Sequence, residues 1–150
     1  MQLDCFLVCD AATTSEGKIY LHGAGISRIT VPTVPFVIPF LTVLGRYQFD
    51  SVEESAREYE LAFSVTDDRG QEMAAPMKGR IRAQSDPGLR AGEEIYTNLI
   101  LGFGPLPIQR TGSLRIRLAL GDTLREMTLP IVVTGAAPVF FAPESQQEGH

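Results

Sequence analysis

The sequence predicts an all-β fold, a single antiparallel β-sandwich of about eight strands of the immunoglobulin-like or C2-like kind. Apolar and polar residues alternate with a period of two in several segments, which is the pattern of half-buried strands. Glycine, proline and aspartate separate these segments, as is typical of turns between neighbouring strands. No helical pattern lies between the segments, so we expect at most one short helical turn, near residues 51–57.

The early part of the chain predicts one central strand and several short ones. Residues 3–9 are apolar on both faces, which indicates a strand covered on both sides. Short strands are expected at about residues 19–21 and 29–31. Residues 31–40 are apolar but hold three prolines, and proline cannot donate a hydrogen bond to a strand ladder. We therefore expect an extended connection at a sheet edge that leads into a strand at residues 40–49.

The rest of the chain predicts regular strands joined by turns. Ser51 and Glu54 have the spacing of a capping box, which favours a helix start. Asp67 to Gly70 suits a type I turn followed by a left-handed residue, and Gly121 with Asp122 suits a two-residue hairpin. Residues 102–107, rich in glycine and proline, are predicted as a loop. Strands are expected over about residues 58–66, 73–83, 95–103, 114–120 and 123–133.

Length and charge indicate one soluble domain. The chain has 150 residues and a formal net charge of −5. A chain of this size buries roughly 68–70% of the surface that it exposes when unfolded, so it needs no disulfide or metal to fold. The mild acidity argues against nucleic-acid binding, which requires a clustered basic surface. We predict a β-sandwich domain over residues 1–134 and a tail over residues 135–150.

Several short motifs resemble a known family. They are the run from Leu3 to Leu7, the glycine-containing run from Gly17 to Gly25, Ile29 to Pro32, Pro35 to Val37, and Phe103-Gly104 followed by Pro107, Gly112 and Leu114 to Leu118. Together they are similar to a family of uncharacterised bacterial proteins of about this length, known as a domain of unknown function. The resemblance covers roughly residues 1–133. It implies a bacterial, cytoplasmic, single-domain β-sandwich, and it transfers no catalytic residue.

Two apolar segments are the candidate partner-binding surface. Burying one phenylalanine is worth roughly 1.5–3 kcal/mol, so apolar segments at an edge and in a tail are costly when left in water. The tail either folds back on its own domain or docks on another chain, and the sequence leaves both open. The candidate residues are Val34, Phe36, Val37, Phe40, Val139, Phe140 and Phe141.

Basic residues form a second candidate surface, one for an acidic partner or a phosphate. Lys78, Arg80 and Arg82 alternate on one predicted strand, and Arg115 and Arg117 alternate on another. If the strands belong to one sheet, these side chains share its outer face. The favoured alternative is a solvated face paired across strands with Glu58 and Glu60.

No catalytic constellation stands out. The sequence holds no nucleophile elbow, phosphate loop or complete dinucleotide motif. Cys5 and Cys9 are expected to be reduced thiols, because residues four apart on a strand lie about 13 Å apart, beyond disulfide reach. We expect no metal, no cofactor, no membrane span and, in the absence of an export signal, a cytoplasmic protein.

The sequence therefore predicts a non-enzymatic protein-binding or assembly module, with a protein partner or self-association. One alternative is a small-ligand or calcium-binding protein, or a small enzyme, with a loop-end site at Asp67, Asp68, Asp122 and His22. The other alternative is a structural component of a phage or another particle. Fold class alone does not decide between them.

Overall fold

The computed structural model describes residues 1–83 and 88–135. This part of the chain is all-β, with twelve strands and one short helix, α1 (Val52–Ser55). The strands are β1 (Gln2–Cys9), β2 (Ala11–Ser15), β3 (Lys18–His22), β4 (Ile29–Val31), β5 (Phe36–Ile38), β6 (Leu41–Phe49), β7 (Glu58–Asp67), β8 (Met77–Arg82), β9 (Ile95–Phe103), β10 (Leu106–Ile108), β11 (Gly112–Leu120) and β12 (Thr123–Val133).

Two larger sheets hold most of the core. The three-stranded sheet has the order β1-β6-β9, and the five-stranded sheet has the order β4-β12-β11-β7-β8. Phe63 on β7 and Phe103 on β9 place their ring centroids 5.2 Å apart, so side chains of the two sheets meet in one apolar core. Two-stranded ribbons, β2-β3 and β5-β10, complete the fold. The described strands outnumber the predicted eight because these ribbons add four short strands.

Three predictions about strands are wrong. Strand β1, predicted as a central strand covered on both sides, lies at an edge of the three-stranded sheet, and β6 is the central strand. Residues 102–107 are not all loop, because β10 pairs with β5 in antiparallel register. Pro107 is tolerated in β10 because it lies opposite Val37 at a position where the ladder needs no N–H donor. The chain is also not antiparallel throughout, since β4 pairs with β12 in parallel.

The predicted helical turn and β-turns are confirmed. The Glu54 backbone N–H donates to Ser51 Oγ at 3.0 Å, so Ser51 caps α1 as expected. The Glu54 carboxylate also accepts from the N-terminal ammonium and from the Asp50 backbone N–H, and these bonds lower the pKa of Glu54. Gly70 has φ +80° after Asp67, and Gly121 has φ +55° in the hairpin between β11 and β12.

Both cysteines are free thiols, as predicted. Burial, and then the nearby Asp10 carboxylate, raise the pKa of the Cys9 thiol, which keeps it protonated and unreactive. The four-residue α1 is the only helix among residues 1–83 and 88–135, and it is far too short to cross a membrane.

The last described residues, Thr134 and Gly135, are hydrogen-bonded to the end of β4 and the residue that follows it. The Thr134 N–H donates to the Val31 carbonyl and the Gly135 N–H to the Pro32 carbonyl, both at 3.0 Å. The predicted domain ends one residue before Gly135. The rest of the predicted tail, including Val139, Phe140 and Phe141, lies outside the described residues.

Candidate docking surface

The ribbon of β5 and β10 presents one apolar side chain to solvent and two to the core. Successive side chains on a strand point to opposite faces. Phe36 and Ile38 are half-buried and pack against the core, so Val37 between them points outward and is 55% exposed. The structure thus separates two predicted surface residues, since Phe36 serves the core and Val37 faces solvent.

The other two predicted residues of this segment are separated in the same way. Val34 is half-buried and packs against the core. Phe40 is 53% exposed, and its ring lies over Gly102 on β9, where any Cβ would overlap the ring. Because position 102 is glycine, the tip of the Phe40 ring can approach the β9 backbone closely while the side chain stays half-exposed.

Val37 lies at a shallow, mostly apolar groove of about 570 Å³. Two proline rings and two alanines line part of it, and the longer side chains of Glu72 and Met73 line the rest. We call this surface the ribbon groove; its apolar lining is Val37, Met73, Ala74, Ala75, Pro105 and Pro107.

The backbone of Val37 is available as well as its side chain. Residues opposite each other on antiparallel strands alternate between pairs that exchange two N–H···O bonds and pairs that exchange none. Val37 lies opposite Pro107, which has no N–H, so this pair is of the second kind. The N–H and C=O of Val37 therefore point away from β10. In the part of the chain that the structure describes, β5 pairs with no other strand, and its second edge is open at Val37.

A cleft of about 230 Å³ adjoins the ribbon groove and shares Glu72, Met73 and Pro107 with it. Arg110 Nη2 lies 2.9 Å from Asp67 Oδ2 and 2.6 Å from Asp68 Oδ1. Asp67 Oδ1 also accepts from the backbone N–H groups of Arg69 and Gln71.

These hydrogen bonds explain the charge state of the cluster. The backbone bond from Gln71 is the main cause that lowers the pKa of Asp67, and the bond from Arg110 is the main cause that lowers the pKa of Asp68. Both carboxylates are ionised and occupied by donors of the chain itself. The cluster is therefore suited to fastening the turn after β7 to the start of β11.

The loop-end site predicted as an alternative does not assemble. Asp122 lies in the hairpin that follows Leu120, and Leu120 pairs with Leu61. Asp67 lies at the other end of β7, six residues and roughly 20 Å from Leu61. His22 lies on β3 in a separate ribbon, opposite Ala11. Within the described ranges, no three histidine, cysteine, aspartate or glutamate side chains are grouped to hold a metal ion.

The predicted basic residues share one face of the five-stranded sheet, where β7 separates β8 from β11. Arg80 lies 3.3 Å from Glu58 and 3.8 Å from Glu60, which are the partners that the favoured alternative named.

The second pair of arginines also has an acidic partner. Arg115 and Arg117 lie 3.3 and 3.1 Å from Glu126 on β12, a partner that the sequence analysis missed. Lys78 and Arg82 have no ion pair with any described residue. Ion pairing thus neutralises most of this face.

The sequence does not predict several residues of the site. The glycine- and proline-rich composition around Pro105 and Pro107 predicts a loop, although Leu106 and Ile108 on either side of Pro107 alternate as in a strand. Met73 carries no signal, because it becomes part of the ribbon groove only when the turn after β7 folds over β10. Arg110 lies 42 residues from its partner Asp68, so no local pattern connects them.

Comparison with known proteins places the whole described domain in one family. The chain matches the model of a family of unknown function, DUF6941, over residues 4–134. A search of curated proteins and a search of solved structures found no significant match. The family match spans nearly the same residues as the resemblance found in the sequence and confirms the resemblance to a domain of unknown function. The chain therefore belongs to the DUF6941 family of unknown function.

Proposed function

We propose that this chain is a non-enzymatic protein-binding module that takes an extended, apolar segment of a protein partner at the open edge of β5. The proposal is based on one observation at Val37. Its apolar side chain is exposed, and its backbone N–H and C=O point away from β10. Addition of a strand to a sheet edge is a common mode of peptide recognition. The backbone bonds supply affinity, and side-chain pockets supply specificity.

The chemistry of the surface specifies the partner. The ribbon groove is lined mainly by valine, methionine, alanine and proline, with Glu72 as its charged residue, so a partner gains by placing apolar side chains on its apolar part. Phe40, half-exposed over Gly102, extends the apolar surface beyond β5. Because β5 has only three residues, a short segment is sufficient, and valine or phenylalanine alternating with polar residues fits it best.

The architecture supports a role in binding. We infer that the two larger sheets, which hold eight strands between them, form one β-sandwich whose rigid core keeps the ribbon in place. The two free cysteines suit a reducing compartment such as the cytoplasm.

The experiment is a titration of the full chain into a fluorescein-labelled peptide in which valine and phenylalanine alternate with serine and threonine, followed by fluorescence anisotropy. We expect saturable binding. The variant Val37→Pro should weaken binding at least tenfold, because it removes the outward N–H without touching the bonds to β10. A scrambled peptide, with its apolar residues in one block, should bind at least tenfold more weakly than the alternating one.

Leu124→Asp is the matched control. Leu124 is 54% exposed, like Val37, but lies beside Ala119 on the five-stranded sheet. This variant should bind the alternating peptide like the unmodified chain. Equal binding by the two variants would show that the open edge of β5 is not a recognition site.

A further inference from the structure

The structure assigns an occupant to the open edge of β5: the chain's own segment Val139–Phe141, bound within the same molecule and in competition with the partner. This inference rests on the proposed function, because it uses the same surface. Four observations support it. They are the position of Gly135, the number of residues between Gly135 and Val139, the composition of residues 138–143 and the exposed edge of β5.

The tail departs beside the segment that leads into β5. Strand β12 runs parallel to β4, with Ile131 opposite Ile29 and Val133 opposite Val31. The contact continues past the strand ends, because the Gly135 N–H donates to the Pro32 carbonyl at 3.0 Å. Gly135 has φ +71°, a left-handed conformation that glycine adopts without strain and that turns the chain at this point.

The number of residues before Val139 is close to the number before Val37. Ile131 and Ile29, which pair in parallel, differ by 102 in number, and Val139 and Val37 differ by the same number in the sequence. Four residues lead from Gly135 to Val139, and five lead from Pro32 to Val37. An extended chain spans up to about 3.6 Å per residue, so Val139 can lie roughly 14 Å from Gly135. Four residues are thus enough to span up to about 14 Å from Gly135.

The composition of the tail matches β5 in a second way. Val139, Phe140 and Phe141 follow Pro138 and are followed, after one alanine, by Pro143. Strand β5 also has three residues and lies between Pro35 and Pro39. Prolines at both ends confine strand pairing to the residues between them, because proline has no N–H to donate. Two three-residue apolar segments with such ends are suited to a short, self-limited pairing.

The consequence is competition for one surface. When Val139–Phe141 pairs with β5, the N–H of Val37 is hydrogen-bonded and its side chain is covered. A partner segment then has to displace the tail, so the measured affinity of the full chain is lower than that of the open edge alone.

The experiment follows amide hydrogen exchange at Val37 by NMR in the full chain. The variant carries F140S and F141S, and a control variant carries Q146S and Q147S in the polar part of the tail. We expect the Val37 amide to exchange at least tenfold faster in the first variant than in the unmodified chain. The control variant should behave like the unmodified chain. The first variant should also bind the alternating peptide at least threefold more tightly.

Two results would overturn the inference. The first is an equal exchange rate at Val37 in all three proteins, and the second is protection that increases with protein concentration, since that would identify the tail of a second copy as the occupant. Peptide binding separates this inference from the proposed function. If the peptide binds all three proteins equally and Val37 exchange is unchanged, only the tail assignment fails. If the peptide binds none of them, the proposed function fails.

Discussion

Alanine at Gly45 and alanine at Gly79 should have opposite effects on the free energy of unfolding. Gly45 lies on β6 in the middle of the three-stranded sheet. A Cβ there would lie 2.9 Å from Leu118 Cδ2 on the five-stranded sheet and 3.1 Å from Tyr47 Cε2. Leu118 and Tyr47 are fully buried, so neither can move into solvent. Gly79 lies on β8, where a Cβ would meet no atom within 4 Å.

The magnitudes follow from these distances. Adding a methyl group to a closed core costs about 1–3 kcal/mol, and the lower chain entropy of alanine in the unfolded state offsets about 0.4–1 kcal/mol of it. The middle values of these two ranges differ by about 1.3 kcal/mol, so Gly45→Ala should lower the free energy of unfolding by about that amount, which corresponds to about 3–5 °C in Tm for a chain of this size. At Gly79 only the lower entropy of the unfolded chain matters, so Gly79→Ala should raise the free energy of unfolding by about 0.4–1 kcal/mol.

The assay is urea unfolding followed by circular dichroism, which suits a chain without tryptophan. A double-mutant cycle with Leu118→Ala tests whether the cost of Gly45→Ala comes from the contact with Leu118. Leu118→Ala alone should cost about 2–5 kcal/mol, and the two changes together should cost at least about 1 kcal/mol less than their sum, since alanine at 118 makes room for the new methyl group. If Gly45→Ala were as harmless as Gly79→Ala, or if the two costs simply added, the contact between the sheets would be absent.

Three further predictions concern the site and its supports. Arg110→Gln removes hydrogen bonds that lower the pKa of Asp67 and Asp68. A lowered pKa stabilises the fold above the unfolded value near 3.8 and loses this effect in acid, so the stability deficit of the variant should be present at pH 7 and shrink as the pH falls below about 3.8, as measured by urea unfolding at each pH. Ser51→Ala should lower the free energy of unfolding by about 0.5–2 kcal/mol through loss of the cap on α1, and Ser51→Asp should restore most of it in the same assay. Val37→Asp should change the free energy of unfolding by no more than about 0.5 kcal/mol, whereas Phe36→Asp should cost at least about 2 kcal/mol because the charge would enter the core; thermal unfolding distinguishes them.

Strand positions were predictable where one face of a strand is exposed to solvent and the other is buried. The alternation of Leu114, Ile116 and Leu118 with arginines is a strong period-two signal, and β11 covers these residues. The signal fails at Leu106–Ile108, because Pro107 suggests a loop until its partner Val37 is known. The parallel contact of β4 with β12 has no local signature either, since it depends on how a distant part of the chain returns.

The sequence predicts which segment forms the candidate site, but not which of its side chains face solvent. The sequence identifies residues 31–40 as apolar and edge-like, yet the three prolines hide which face is buried. Only the pairing with β10 shows that Phe36 faces the core and Val37 faces solvent. The outward N–H of Val37 is likewise a property of the pair, since it follows from the missing N–H of Pro107.

The most direct test of the central claim is to map the binding site of the alternating peptide on the full, isotope-labelled chain by NMR. The account predicts that the largest amide shifts occur at Val37 and Ile38 and at Met73, Ala74 and Ala75 beside the ribbon groove. Shifts concentrated instead around Arg115 and Arg117, or around Asp122 at the far end of the five-stranded sheet, would contradict it.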